Sequence, residues 1–473
     1  MPTETLYENV ADRMQTLIEE GTLRAGERIP SVRRLHRQWS VSMTTVLDAY
    51  RLLEDRGWVE ARPRSGYYVR PSPRKTVDEP TVTEPSRRPQ RVRTDIVMRM
   101  HSEINAADFV RLGAAAPDLE LLPYRVLARR VSEMMRRHPQ RCHTYHTGAG
   151  YEPLRREIAR RMVDAGCTAS PGELVITSGA QEALYLALRA VTQPGDMVAV
   201  ESPCYMGLLE ILETLHLRAL ELSTHPRRGI DLGSLDHALG ENDIAAVAVV
   251  TNYSNPLGCT LSDDNKRQLV EIVTRHKVPL VEDDIYGDLP FEGPRPCAAK
   301  SFDRTGQVIY CSSFSKTISP GFRVGWSMPG RFHERLLWLK SMTSIAAPSI
   351  PQLAIAAYLQ EGGYDHQLRR LRKVYRDNHA RFLAAIGRHF PAGTRATHPT
   401  GGQLLWVEMD RGVSGVKLYE QATKHRISVA PGVLFSAAGR YAHCIRLNLA
   451  LCYDERVDAA LQTLGRLASD QLS

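Results

Sequence analysis

Ser312-Ser313-Phe314-Ser315-Lys316-Thr317-Ile318-Ser319-Pro320-Gly321-Phe322-Arg323 is the stretch on which the reading of this chain turns. It leaves directly from the apolar run QVIYC (307–311), which has the composition of a buried strand. A lysine amine held at a strand exit can bond covalently to an aldehyde, while the surrounding hydroxyls and Arg323 can bind a phosphate dianion. A lysine in a serine-rich loop is more often an ordinary surface lysine, so the weight falls on the residues elsewhere in the chain.

Upstream, Ser178-Gly179-Ala180-Gln181 sits between the strand-like ELVIT and the helical EALYLALRAV, so that free N–H groups at a helix start face a phosphate. Tyr205, in VAVESPCYMG, follows another strand and can stack on an aromatic ring, although a lone strand-end tyrosine is more often core or rim. Asn255 in NYSNPLG and Tyr286 in VEDDIYGDL can both hydrogen-bond a phenolic oxygen. Asp283 can pair with a pyridinium nitrogen, and a carboxylate there keeps that nitrogen protonated and stabilises charge developing on a substrate carbon. Glu282 and Asp284 compete with it for that part.

Strand-like runs (VAVES, AAVAVVT, VPLVEDD, QVIYCSS) alternate with longer helical stretches, which predicts a layered α/β domain. In chain order, SGAQ, the Pro-x-Tyr turn, NPLG, DDIY, SFSK with an arginine seven residues later, and IRLN resemble the fold-type I aminotransferases over residues 110 to 450. That resemblance implies pyridoxal 5′-phosphate as cofactor, covalently held by Lys316. It implies Asp283 on the pyridine nitrogen, Asn255 and Tyr286 on the phenolic oxygen, Tyr205 stacked on the ring, and Gly179, Ala180, Gln181, Ser313, Ser315 and Arg323 on the phosphate. Tyr145 in TYHTGAGYEPLR matches the segment whose tyrosine reaches the neighbouring subunit's phosphate, which implies a homodimer. Arg446 in CIRLNLA matches the arginine that forks onto a substrate α-carboxylate; a structural salt bridge at a strand end is the other reading.

The first 70 residues form a separate pattern. Leu6, Val10, Met14, Leu17 and Ile18 recur at helical spacing up to Gly21. Ser31 is placed to cap a short helix burying Val32, Leu35 and Trp39 and exposing Arg33, Arg34 and Arg37. Ser42 is placed to cap a third helix with Val46, Ala49, Tyr50 and Leu53 inward and Thr44, Thr45, Asp48 and Arg51 outward, an arrangement suited to DNA recognition. Gly57 closes it, and residues 58–69 alternate as a two-stranded wing with a basic tip. Periodicity alone equally permits a small three-helix domain with solvated arginines. The string IPSVRRLHRQWSVSMTTVLDAYRLLEDRGWVEARPRSGYYV, however, resembles the GntR family of winged-helix regulators, which implies DNA contacts at Arg33, Thr44, Thr45 and the wing around Arg64 and Gly66. Met43 departs from the arginine usual at that place.

Residues 71–95, PSPRKTVDEPTVTEPSRRPQRVRTD, hold five prolines and only three valines, too little apolar surface to offset ordering entropy, and read as a linker. The expected organisation is a winged helix over 1–70, this linker, and an aminotransferase-like domain over 96–473 with a large α/β part and a smaller C-terminal α+β part. The combination resembles the MocR subfamily of GntR regulators. It implies a sensor in which an amino acid, an amine or a vitamin B6 compound biases affinity for a double-stranded DNA operator; an active aminotransferase with a secondary DNA-binding domain is the alternative.

The composition agrees with this: 43% apolar and 24% charged residues over 473 positions predict a globular chain of more than one domain, and the net charge of +8 tolerates a polyanion. No apolar run approaches the roughly 20 residues of a membrane span. Eight scattered cysteines without CxxC spacing, and an N-terminus without a signal pattern, predict a cytoplasmic protein with no metal site.

Overall fold

The computed structural model describes residues 6–19, 22–24, 26–55, 58–62, 65–69, 77–83 and 109–473. The chain divides into two compact units, Met1–Thr76 and Val77–Ser473. Gly21, Gly57 and Arg64, and the expected linker positions 71–76 and 84–95, lie outside the described residues.

In the first unit, α1 (Leu6–Glu19), α2 (Val32–Trp39) and α3 (Met43–Asp55) precede an antiparallel hairpin of β1 (Val59–Arg62) and β2 (Gly66–Val69), paired from Val59↔Val69 to Arg62↔Gly66. The helical stripes close one core: Val10, Ala11, Met14, Ile18, Leu35, Val46, Ala49, Tyr50, Leu53, Val59 and Val69 are all buried. Ser31 Oγ accepts from the Arg34 N–H at 3.3 Å and Ser42 Oγ from the Thr45 N–H at 3.0 Å, the two expected caps. The Tyr50 hydroxyl donates to the Pro30 carbonyl at 2.6 Å, fastening α3 to the entry of α2. Leu6, expected in the buried stripe, is 60% exposed because it lies one turn beyond the end of the core. Trp39 is only half-buried, its outer face covered by the Arg13 guanidinium at 4.4 Å.

The second unit is built on β3 (Val175–Thr177), β4 (Met197–Ser202), β5 (Arg218–His225), β6 (Gly229–Ile230), β7 (Ile244–Val250), β8 (Leu280–Asp283), β9 (Val308–Ser313) and β10 (Gly325–Met328). Among the described residues these form an eight-stranded sheet in the order β3-β10-β9-β8-β7-β4-β5-β6. Strands β5, β4, β7, β8 and β9 run parallel, and β10 is antiparallel to both β9 and β3. Both faces are covered, as the near-continuous apolar strands require. In β7, Ala246 and Ala248 join the cluster of Leu184, Leu188, Leu208 and Leu212 on one side, while Val247 and Val249 join Leu235, Leu269 and Val273 on the other.

A smaller α+β part follows: the helices Gly363–His389 and Glu455–Ser469 pack on β11 (Arg395–Ala396), β12 (Leu404–Glu408), β13 (Ala430–Pro431) and β14 (Cys444–Asn448), ordered β11-β12-β14-β13. Among the described residues no helix is long and apolar enough to cross a membrane.

One expectation is corrected here. Val77–Thr83, inside the predicted linker, is fixed to the second unit. Val77 is buried in the C-terminal core, and its carbonyl lies 2.8 Å from His398 Nε2. The Asp78 carbonyl accepts from the Ala396 N–H at 2.9 Å, and Glu79 pairs with Arg227 at 2.6 Å. A count of apolar side chains missed this docking because backbone and hydroxyl groups make most of it.

Candidate functional site

The sheet topology brings the scattered sequence signals to one edge. Asp283 is the last residue of β8 and is in register with Cys311 of the parallel neighbour β9, whose exit turn Phe314–Lys316 carries Lys316. The Ser313 hydroxyl builds that turn: it accepts from the Ser315 N–H at 3.0 Å and donates to the Val324 carbonyl at 2.9 Å. It is therefore committed to local structure, where the sequence grouped it with the phosphate ligands.

Lys316 Nζ donates to the Ala115 carbonyl at 2.5 Å. Burial first, then the positive charges of Arg446 and Arg323, push its amine down to about 8, partly opposed by Asp283. Lys316, Asp283, Arg323 and Arg446, far apart in sequence, are thus near enough to perturb one amine.

Asp283 is 6% exposed and accepts from the Ile285 N–H at 3.2 Å. Burial raises it to about 7, and among the described residues no cation forms an ion pair with it. Its two competitors are fully engaged. Glu282 accepts from the Thr251 hydroxyl at 2.5 Å and from the N–H groups of Ala299 at 2.6 Å and Lys300 at 2.8 Å. Asp284 takes the Asn252 amide at 2.8 Å, the Tyr310 hydroxyl at 3.0 Å and the Arg295 guanidinium at 2.5 Å. Arg295, unflagged by the sequence, also holds Asp288 at 2.8 Å; Asp288 receives the Tyr364 hydroxyl at 2.8 Å, and that hydroxyl meets Thr317 Oγ1 at 2.9 Å. A continuous chain of buried polar contacts therefore links the neighbour of Asp283 to the neighbour of Lys316.

At the other end of the site, Gly179 caps the helix Ala180–Val191 with φ +87° and no side-chain cap. A Cβ at Gly179 would collide with the Arg323 guanidinium, so glycine is required for the close approach. Arg323, itself at φ 51°, donates to the Ser178 carbonyl at 2.9 Å and reaches Ser315 Oγ at 3.4 Å, joining the two predicted phosphate-binding turns. The Tyr205 hydroxyl donates to Gln181 Oε1 at 3.2 Å, and Gln181 Nε2 donates to the Gly207 carbonyl at 3.0 Å.

Arg446, on β14, is fully buried. It donates to Asn255 Oδ1 at 3.1 Å and to the Gly113 carbonyl, and stacks 5.1 Å from the Phe435 ring. Among the described residues it has no carboxylate partner, and its Nε has no hydrogen-bond partner. Burial lowers it to about 10. Tyr286, 2% exposed, shares the Asn255 side chain. The carbonyls of Gly113 and Ala115 escaped the sequence reading because backbone acceptors leave no side-chain signal. Tyr145 is apart from this group and 73% exposed.

In the first unit, Arg33, Arg51 and Thr44 are exposed and Thr45 is half-buried, its hydroxyl 2.7 Å from Ser42 Oγ. Met43 is 50% exposed. Gly66, at φ +104°, opens β2 with Arg28 Nε 3.1 Å from where a Cβ would be.

A mostly parallel sheet with a half-buried lysine at one strand exit and, on the adjacent strand, a buried carboxylate that forms no ion pair among the described residues defines a fold-type I pyridoxal-phosphate protein, here following a winged helix in the chain. Residues 107–464 match the family described as Aminotransferase class I and II, and residues 6–69 match Bacterial regulatory proteins, gntR family. Two uncharacterised HTH-type transcriptional regulators of Escherichia coli (strain K12), YjiR and YdcR, are 39% and 38% identical, the alignments covering 98% of this chain in both cases and 98% and 99% of theirs. The solved structure of LysN, the α-aminoadipate aminotransferase of Thermus thermophilus, in complex with N-(5′-phosphopyridoxyl)-L-leucine, superposes with a TM-score of 0.74 at 27% identity, over 81% of this chain and 96% of that one. The chain belongs to the aminotransferase class I and II family and, with its gntR-family domain, is a DNA-binding transcriptional regulator of the MocR type whose cofactor is pyridoxal 5′-phosphate.

Proposed function

We propose that the site around Lys316 is the sensor of this regulator: it holds pyridoxal 5′-phosphate and reads an amino acid or amine through it. The observation that carries this is the unmatched buried charge. Among the described residues Asp283 is a buried carboxylate in no ion pair, and Arg446 a buried guanidinium in none. Burying lone charges is costly unless a ligand completes them, and a pyridinium nitrogen and an α-carboxylate are the complements of these two.

The donor set suits the cofactor throughout. Lys316 has an amine pushed down to about 8, so that more of it is unprotonated and available to the aldehyde carbon near neutral pH than of an ordinary lysine. Gly179, Ala180, Gln181, Ser315 and Arg323, with Ser313 shaping the turn, would hold the phosphate; Asn255 and Tyr286 the phenolic oxygen; Tyr205 the ring face. When bound, the cofactor supplies an electrophilic carbon to an incoming amine and an electron-withdrawing ring. Arg446 would bind the effector carboxylate, and the exposed Tyr145 would reach a second copy's phosphate, making a homodimer the working form. Val77–Ser473 serves as the sensor unit and the first unit as the reader, with Arg33, Thr44, Thr45, Arg51, Arg64 and Gly66 toward double-stranded DNA in the cytoplasm.

The test is an absorbance titration of the purified protein with pyridoxal 5′-phosphate, then with a panel of amino acids and amines, with and without promoter DNA. Wild type should gain a visible band that borohydride fixes to Lys316, Lys316→Ala should gain none, and one panel member should shift both the band and the DNA affinity. A colourless protein with nothing trapped overturns the reading. Steady turnover with an oxo acid, and no effect on DNA binding, makes the chain an enzyme instead.

A further inference from the structure

The docked segment Val77–Thr83 ends against the strand that delivers Tyr205. Thr83 Oγ1 donates to the carbonyl of Ser202, the last residue of β4, at 2.8 Å, and accepts from the Thr224 N–H at 2.9 Å. The Ser223 hydroxyl donates to the Thr83 carbonyl. Two residues, Pro203 and Cys204, separate Ser202 from Tyr205, and the turn is also held by the C-terminal part of the unit. The Cys204 N–H donates to the Phe435 carbonyl at 2.8 Å, and the Tyr441 hydroxyl meets Ser202 Oγ at 2.7 Å. Phe435 in turn lies under the Arg446 guanidinium. One short turn, Ser202–Tyr205, is thus bonded both to the strap and to the segment that carries Phe435 beneath the arginine proposed for the effector carboxylate.

The strap itself is fastened at points rather than sealed. Between Pro80 and Thr83 it borders a cavity of about 560 Å³, whose floor and walls include Trp406, Tyr441 and His443. Val82 is 54% exposed, and the Glu79–Arg227 pair is a surface contact of small worth. The Thr83 hydroxyl is the strap's direct link to the Ser202–Tyr205 turn.

We infer that Val77–Thr83 is a latch and Thr83 a positioning residue: docking of the strap sets the Ser202–Tyr205 turn, and occupancy of the Lys316 site in turn sets whether the strap is docked. The inference rests on the sensor reading above. Its value to a regulator lies in its place in the chain: the strap opens the second unit, and only residues 70–76 stand between it and β2 of the reader domain. Linkage makes the coupling reciprocal: whatever the bound cofactor does to the latch, the latch does to cofactor affinity.

The test uses the full-length protein, with pyridoxal 5′-phosphate as the probe. Hydrogen exchange of the peptide covering 77–83 should slow on loading the wild type. Thr83→Val, which removes the hydroxyl and keeps the shape, should raise the cofactor Kd about ten-fold, the worth of one or two hydrogen bonds. It should also abolish the loading-dependent protection, while Thr83→Ser, which restores the hydroxyl, should behave as wild type. Unchanged Kd in Thr83→Val, with strap exchange the same in both states of the wild type, overturns the latch and leaves the sensor reading intact. Thr83→Val and Thr83→Ser equally impaired also overturns it, because the methyl packing and not the hydroxyl then matters. A wild type that takes up no cofactor overturns both.

Discussion

Arg295 Nη2 lies 2.5 Å from Asp284 Oδ2, and this buried pair decides which of three consecutive carboxylates is left for the site. Arg295 and Asp284 are 8% and 0% exposed by side chain, so neither has water to fall back on. With Glu282 held by the Thr251 hydroxyl and two backbone N–H groups and Asp284 by Arg295, Asp283 is the one of the three that, among the described residues, accepts a single backbone hydrogen bond and no side-chain donor.

The two neighbours should therefore respond to substitution in opposite ways. Asp284→Asn breaks a buried ion pair and should lower the stability of the second unit by roughly 3 kcal/mol. Asp283→Asn removes an uncompensated buried carboxylate, so the cofactor-free protein should be as stable as wild type or more so, while cofactor uptake is impaired. Thermal melts with and without pyridoxal 5′-phosphate check both; equal destabilisation by the two would contradict the assignment.

The pH dependence carries the same signature. Asp283 is raised to about 7 in the fold against about 4 in an unfolded chain, so the native form keeps its proton longer. Its contribution is present below about 4 and is lost as pH rises to about 7. Lys316, lowered to about 8, acts in the next window: between about 8 and 10 the unfolded chain binds the extra proton, and stability rises with pH. Urea melts of the cofactor-free protein across this range should show a decline flattened in Asp283→Asn and an alkaline recovery absent in Lys316→Ala.

The sequence made the layered α/β sheet, the helix caps at Ser31 and Ser42 and the cluster around Lys316 legible, because each depends on local periodicity or on a side chain with distinctive chemistry. It left Glu282, Asp283 and Asp284 in competition, since their difference lies in partners such as Thr251, Asn252 and Arg295 that only the fold brings near. It read 77–83 as free because docking through the Asp78 carbonyl and the Thr83 hydroxyl has no apolar signature. The burial of Leu6 failed for a different reason: a periodic stripe says which face of a helix is apolar, not where the partner surface ends.

Gly179 offers a sharp steric test. At φ +87°, with the Arg323 guanidinium occupying the space a Cβ would need, Gly179→Ala must displace the arginine that joins the two phosphate-facing turns. Cofactor Kd should rise by at least about ten-fold, the equivalent of one lost charge-assisted hydrogen bond. Gly172, with only Ser170 Oγ 3.7 Å away and no positive φ, is the control, and Gly172→Ala should leave Kd unchanged.

For the reader domain, the exposed arginines are the place to measure. Arg51 sits 3.4 Å from Asp48 with side chains 65% and 42% exposed, a pair worth at most a few tenths of a kcal/mol and easily exchanged for a phosphate. Arg33, on the exposed face of α2, has no shape role that a substitution would disturb. Replacing either by alanine should weaken binding to any sequence alike and reduce the slope of log K against log salt by about 0.9, the value of one phosphate contact. Cofactor absorbance should stay unchanged. Tyr50→Phe separates folding from contact: it loses the bond to the Pro30 carbonyl and should lower the melting temperature of the first unit without altering the salt slope. If the arginine variants keep the wild-type slope, the DNA-facing surface lies elsewhere on the domain.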